Sequence, residues 1–147
     1  MEKWGDKPYH SLDYENKKRF GEKVYKISLA GGTTCPNCDG TLGTRGCCFC
    51  SGSGSGDFAA TKGSITEQIE EAIARVSRYK NAGHHFTAYF QSFTATYAPV
   101  ETLRAAWEEA MTHESVVTLA IATRPDCLGD DVLSLLVDCC RKMPVTV

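Results

Sequence analysis

The stretch "SVVTLAIAT", residues 115–123, decides the fold. From Val116 to Ala122 it is almost continuously apolar, with no alternation of inward and outward positions. Half-buried strands alternate with period two, so an unalternating strand suits a parallel sheet covered on both faces. Working outward, "TYAPVETLRAAWEEAM" lies before it and starts a helix near Pro99, a good first-turn residue. Leu103, Ala106, Trp107 and Ala110 or Met111 face the core. After it, residues 130–142 have Val132, Leu135, Leu136 and Cys139 at helical spacing, and "PVTV" opens a fourth strand.

The earlier half repeats the pattern. "KVYKISL" (23–29) is a first strand, and "HFTAYFQSF" is rich in aromatic and β-branched residues, as strands are. Between them, "SITEQIEEAIARVSRYK" carries a capping-box spacing at Ser64 and Glu67, an apolar stripe from Ile65 to Val76, and Gly83 near its expected stop. The order is β-loop-α-β-α-β-α-β, which argues for a parallel α/β sheet with right-handed crossovers. Such sheets gather their sites in the loops after the strand C-termini. Three polar loops meet that description: the cysteine loop after the first strand, "QSFTATY" after the second and "TRPDCLGD" after the third.

The chain has 147 residues, 42% hydrophobic and 23% charged, with a net charge of −2. This is about one domain, and the charge does not indicate nucleic-acid binding. Residues 1–22 read as a polar leader, its basic run "ENKKRFGEKVYK" interrupted by Glu15 and Glu22. No apolar run approaches the roughly 20 residues of a membrane span, and "MEKWGDKPYH" lacks the apolar core of a signal peptide. The expectation is a cytoplasmic chain with no membrane partner. Clustered cysteines in a reducing compartment are ligands or catalysts more often than disulfides.

Five of the eight cysteines lie within "CPNCDGTLGTRGCCFC", residues 35–50. Two groupings fit the spacing. Cys35, Cys38, Cys47 and Cys50 form two C-x2-C pairs, able to hold zinc tetrahedrally in a non-enzymatic interaction module. Cys35, Cys47 and Cys50 form a three-thiolate iron–sulfur site that leaves one iron open. The position of the loop after the first strand of a parallel unit favours the second grouping. The following run "SGSGSGD" is either a flexible linker or a backbone that approaches a cofactor closely.

Cys35-x11-Cys47-x2-Cys50, with an aromatic directly before the last cysteine, resembles the cluster motif of radical S-adenosylmethionine (SAM) enzymes. It departs from their usual C-x3-C-x2-C spacing. "GGTTCPNCDGTLGTRGCCFC", "AYFQSFTATYAP" and "TRPDCL" resemble, in order, segments of an uncharacterised bacterial subgroup related to the Elongator catalytic subunit. The resemblance runs from about Trp4 to Leu136. It implies a partial (β/α) barrel of radical SAM type, with residues 23–147 supplying about its first three β/α units. Since residue 147 falls inside an apparent strand, the chain is expected to be the N-terminal part of a longer protein.

The resemblance also implies roles. Cys35, Cys47 and Cys50 would hold a [4Fe–4S] cluster, and SAM would chelate the open iron. An electron donor such as a flavodoxin or ferredoxin would drive reductive cleavage of SAM to a 5′-deoxyadenosyl radical. Phe49 matches the aromatic near the adenine, its bland alternative being packing beneath the loop. Gln91 and Ser92 fall where the superfamily often has a Gly-rich SAM-binding motif; here the sequence is "YFQSFT". Arg124 and Asp126 could reach the SAM carboxylate or ribose, or simply flank a turn set by Pro125. The subgroup usually shows a basic residue near the place of Cys38, so Cys38 and Cys48 become spare thiols. Cys127, Cys139 and Cys140 read as packing, and His84, His85 and His113 as helix-terminal polar residues away from the rim. The substrate is not legible.

Overall fold

The computed structural model describes residues 3–147. Four parallel strands, β1 (Tyr25–Leu29), β2 (Phe86–Phe90), β3 (Val116–Ile121) and β4 (Val145–Thr146), lie side by side in chain order. Helix α2 (Ile65–Tyr79) connects β1 to β2, α3 (Val100–Thr112) connects β2 to β3, and α4 (Asp130–Lys142) connects β3 to β4. This is the expected α/β sheet.

The three crossover helices share one face of the sheet. Ile27 and Leu29, then Phe86, Ala88 and Phe90, then Leu119 and Ile121 meet Ile69, Leu103, Trp107 and Leu135 in one buried core. The helix stripes read from the sequence are buried as expected, Val132, Leu135, Leu136 and Cys139 among them. Their chain ends follow local chemistry. Ser64 caps α2 by accepting from the Glu67 amide at 3.2 Å, while the Glu67 carboxylate accepts from the Ser64 amide at 2.8 Å. Such caps satisfy amides that lack intrahelical partners. Glu109 on α3 accepts from the Thr66 amide and hydroxyl at 2.8 and 3.0 Å, joining α3 to the start of α2. One boundary shifts: Pro99 is the N-cap of α3 rather than part of its first turn, whereas α2 ends at Tyr79 with Lys80 as its cap, as expected.

The opposite face is polar. Lys26, Thr87, Tyr89 and Thr118 alternate with the core residues and point the other way. The Lys26 ammonium lies 4.9 Å from the centre of the Tyr89 ring, and the Thr118 hydroxyl donates to Thr87 at 2.7 Å. Half-burial of Thr118 and Val117 departs from the reading of β3 as covered on both faces.

The polar leader contains a helix, α1 (Leu12–Phe20), capped by Ser11 and ended by the left-handed Gly21. Leu12, Asn16 and Arg19 border a cavity of about 160 Å³ with Lys26, Thr87 and Thr118, so α1 lies against the polar face. No helix among the described residues is long and apolar enough to cross a membrane.

Candidate functional site

The C-terminal ends of β1, β2 and β3 are level: Leu29 pairs with Phe90, and Phe90 with Ile121. The loops that follow are therefore brought to one rim, and main-chain hydrogen bonds stitch them together. Ala122 donates to Phe90 at 3.0 Å, Ala95 to Ala122 at 2.9 Å, and Thr94 to Thr34 at 3.1 Å. Three segments distant in sequence become one surface.

Within the first loop the two C-x2-C segments fold against each other. The amides of Cys38 and Asp39 donate to the Cys35 carbonyl at 2.8 and 3.1 Å, a single turn. The amide of Gly46 donates to Asn37 at 2.9 Å, and that of Cys50 to Cys47 at 3.1 Å. The Asn37 side chain donates to the Cys47 sulfur at 3.0 Å. Cys35, Cys38, Cys47 and Cys50 thus line one cavity of about 520 Å³ together with Phe49, Gln91, Phe93, Thr94 and Arg124. That volume lies within the range of small-molecule pockets, roughly 300–1,000 Å³.

The "SGSGSGD" run is docked, not a free linker. Phe93 donates its amide to the Gly54 carbonyl at 2.9 Å, and Ala60 exchanges main-chain hydrogen bonds with the edge of β1. Gly54 has φ +61°, and a Cβ there would collide with the Phe93 ring. Ser55 and Phe93 are the two non-glycine residues with positive φ among the described residues, at 64° and 58°, and both line the cavity. Backbone held in sparsely populated regions clusters at functional sites.

The sequence candidates fare differently. Arg124 directs one guanidinium nitrogen at the Cys35 sulfur, 3.8 Å away, and grips Asp126 with two others at 2.9 and 2.7 Å. The fork is therefore largely engaged before any ligand arrives, and Asp126 serves as its counter-ion rather than reaching into the cavity. Burial pushes the Cys35 thiol up, but hydrogen bonds from Thr94 and the Asn37 amide, with Arg124, outweigh it and lower its pKa. Cys38 is raised, by burial first and then by the neighbouring Cys35. A lowered thiol is nearer the thiolate that serves as metal ligand or nucleophile.

Phe49 is 81% exposed, so the reading of it as packing beneath the loop does not hold; it stands at the cavity mouth. Gln91 lines the cavity, whereas Ser92 is buried under the loop against Gly56 and does not. Cys139 is core and Cys140 is exposed, so only the first packs as expected. His84 and His85 lie before β2, at the far end of the sheet, and donate their amides to Glu22. His113 ends α3 and accepts from the Ser115 amide.

Sequence reasoning missed Asn37, Phe93 and Thr94. Asn37 lies between two cysteines, and Phe93 and Thr94 are in a loop already marked as rim-forming, so all three had a signal.

Cysteine sulfurs are soft donors suited to iron–sulfur clusters or zinc. Among the described residues no three His, Cys, Asp or Glu side chains converge as a ready-made metal cage. The thiols share a cavity without closing on one point. The Asn37 side-chain amide faces the Cys47 sulfur and the Arg124 guanidinium faces the Cys35 sulfur, and donors to sulfur are what a thiolate-held cluster uses.

No family model matches the chain, and no solved structure does. It is 45% identical over 139 residues to "Uncharacterized protein YtqA" of Bacillus subtilis, covering 90% of this chain and 41% of the relative. It is 43% identical over 119 residues to "Protein YhcC" of Escherichia coli K12, covering 81% and 37%. With "Uncharacterized protein MJ0486" of Methanocaldococcus jannaschii it shares 34% identity over 125 residues, covering 83% and 37%. The chain therefore spans about two fifths of the length of these curated relatives.

Proposed function

We propose that this chain supplies the cluster-binding part of a radical SAM enzyme, with Cys35, Cys47 and Cys50 as iron ligands. The observation that carries the reading is the shared cavity. It brings these three thiols together with Gln91, Thr94 and Arg124 at the C-terminal ends of consecutive parallel strands. A detached knuckle has no need of that placement, whereas sites on parallel α/β sheets are built there.

The sheet supports the finer fold assignment. Strand order without a reversal, and crossover helices on one face only, is the arrangement of a (β/α) barrel wall. A doubly wound fold would reverse its order and cover both faces. The polar face of Lys26, Thr87, Tyr89 and Thr118 then belongs to the barrel interior.

When bound, a [4Fe–4S] cluster with SAM supplies one-electron reductive cleavage of the sulfonium, drawing on a donor such as a flavodoxin or ferredoxin. The chain's own residues do the rest. The Asn37 amide and Arg124 guanidinium offset charge at the ligand sulfurs of Cys47 and Cys35. Gln91 holds the glycine/serine loop against β2, and Phe49 offers an aromatic surface at the mouth.

The test is anaerobic reconstitution with iron and sulfide, followed by visible absorption and electron paramagnetic resonance. A brown protein whose signal is lost in Cys47→Ala and kept in Cys38→Ala is the expected result. The second reading, a four-cysteine zinc module, draws on Cys38 opening to the same cavity. Tight zinc that Cys38→Ala removes, with no iron binding, would establish it instead.

A further inference from the structure

We infer that Cys35 and Cys38 form a redox-active dithiol that closes to an intramolecular disulfide, an oxidation site inside the cavity. Geometry carries it. The Cys38 amide donates to the Cys35 carbonyl at 2.8 Å, closing a turn. Turns of this kind hold Cα atoms three residues apart within about 7 Å, and disulfides bridge about 4.4–6.8 Å. Both side chains line the same cavity.

The other thiols are less well placed. Cys47 and Cys50 also span a turn, but the Cys47 sulfur is engaged by the Asn37 amide at 3.0 Å, an interaction that bridging would disturb. Cys48 and Cys140 are exposed, and Cys139 is enclosed in the helix–sheet core. Cys38 is half-exposed and lines the cavity, which has room for a small oxidant.

The oxidant is a low-molecular-weight disulfide, RSSR. Cys38 loses its proton to solvent and attacks one sulfur, forming a Cys38–SR bond and expelling RS⁻, which takes up a proton. Cys35 then loses its proton and attacks the Cys38 sulfur; the Cys35–Cys38 bond forms and the second RS⁻ leaves. Two protein thiols are oxidised by two electrons, and RSSR is reduced to two RSH. An excess of dithiol reverses the exchange. The consequence for iron rests on the function proposed above: closing the bridge withdraws Cys35 from the ligand set, so cluster loading follows the thiol redox state.

The sequence makes the test clean. Trypsin cuts after Lys26, Arg45 and Lys62, so Cys35 and Cys38 are alone in peptide 27–45, and Cys47, Cys48 and Cys50 are in peptide 46–62. The metal-free chain is treated with oxidised glutathione, free thiols are alkylated, and the digest is weighed. The expected result is peptide 27–45 lighter by two hydrogens and unalkylated, with peptide 46–62 alkylated throughout. Full alkylation of peptide 27–45, glutathione retained on it without a bridge, or a cross-link to peptide 46–62 would overturn the proposal. Cys38→Ser is expected to show no bridge. Iron binding by the reduced protein is read separately: a bridge without iron binding upholds the dithiol and defeats the iron assignment. Iron binding without a bridge does the reverse.

Discussion

The side-chain amide of Gln91 donates to the main-chain carbonyl of Ser55 at 2.9 Å. Its carbonyl oxygen accepts from the Ser28 hydroxyl at 2.9 Å. One side chain after β2 therefore ties the end of β1 to the glycine/serine loop. Gln91→Ala removes both bonds, each contributing about 1 kcal/mol. We expect a loss of about 2 kcal/mol from urea denaturation and faster proteolysis within residues 51–58, with the far end of the sheet unaffected.

Gly54→Ala attacks the same contact from the other side. It imposes a side chain on a left-handed backbone and drives a methyl into the Phe93 ring. We expect the loop to detach and reconstituted iron to fall, while far-ultraviolet circular dichroism stays unchanged. Gly52→Ala, where a Cβ meets nothing within 4 Å, is the control and is expected to behave as wild type.

Arg124→Met removes the cation beside Cys35. The pair it makes with Asp126 is partly exposed, and such pairs contribute about 0–1 kcal/mol, so the melting temperature is expected to move little. In the metal-free protein, Cys35 alkylation at neutral pH is expected to slow, because its thiolate loses a stabilising partner. If the protein carries a cluster, its reduction potential is expected to fall, since a positive charge near the cluster favours the reduced state. An unchanged alkylation rate would show that Thr94 and the Asn37 amide suffice.

Glu22 sets a pH dependence at the opposite end of the sheet. The His84 amide, bound at 2.8 Å, lowers its pKa most, burial opposes, and the His85 amide adds to the lowering. A carboxylate depressed on folding stabilises the fold above its ordinary pKa, and that contribution is lost as pH falls through the folded value. Glu22→Gln is therefore expected to be less stable than wild type at neutral pH. The gap should close as pH falls below the ordinary glutamate range and through the lowered folded value, as read in thermal melts.

Trp107 is 1% exposed, on α3 within the core between the helices and the sheet. Trp107→Ala is expected to cost about 3–5 kcal/mol, read as a lowered denaturation midpoint. Leu133, 45% exposed on the outer face of α4, is expected to cost less than about 0.5 kcal/mol when truncated.

The regular elements were legible because each announces itself locally. An unalternating run marks β3, a capping box marks α2, and the stripe Val132, Leu135, Leu136 and Cys139 marks the inner face of α4. Helix α1 escaped because "LDYENKKRF" has no apolar stripe to mark it. Its signals were the caps alone, Ser11 before and Gly21 after. That the two C-x2-C pairs, Cys35 with Cys38 and Cys47 with Cys50, lie in one loop was legible from spacing, and the convergence of three loops followed from parallel connectivity.

By itself the sequence determined the element order, the parallel sheet and the thiols at its first loop, because periodicity and connectivity act over neighbouring residues. Tertiary structure alone decided that Arg124 meets Cys35 across 89 positions, that Phe93 takes a left-handed backbone against Gly54, and that Ser92 is covered while Gln91 stays at the cavity. Those relationships depend on the register of β1, β2 and β3 and on how their loops pack. No local pattern carries that information.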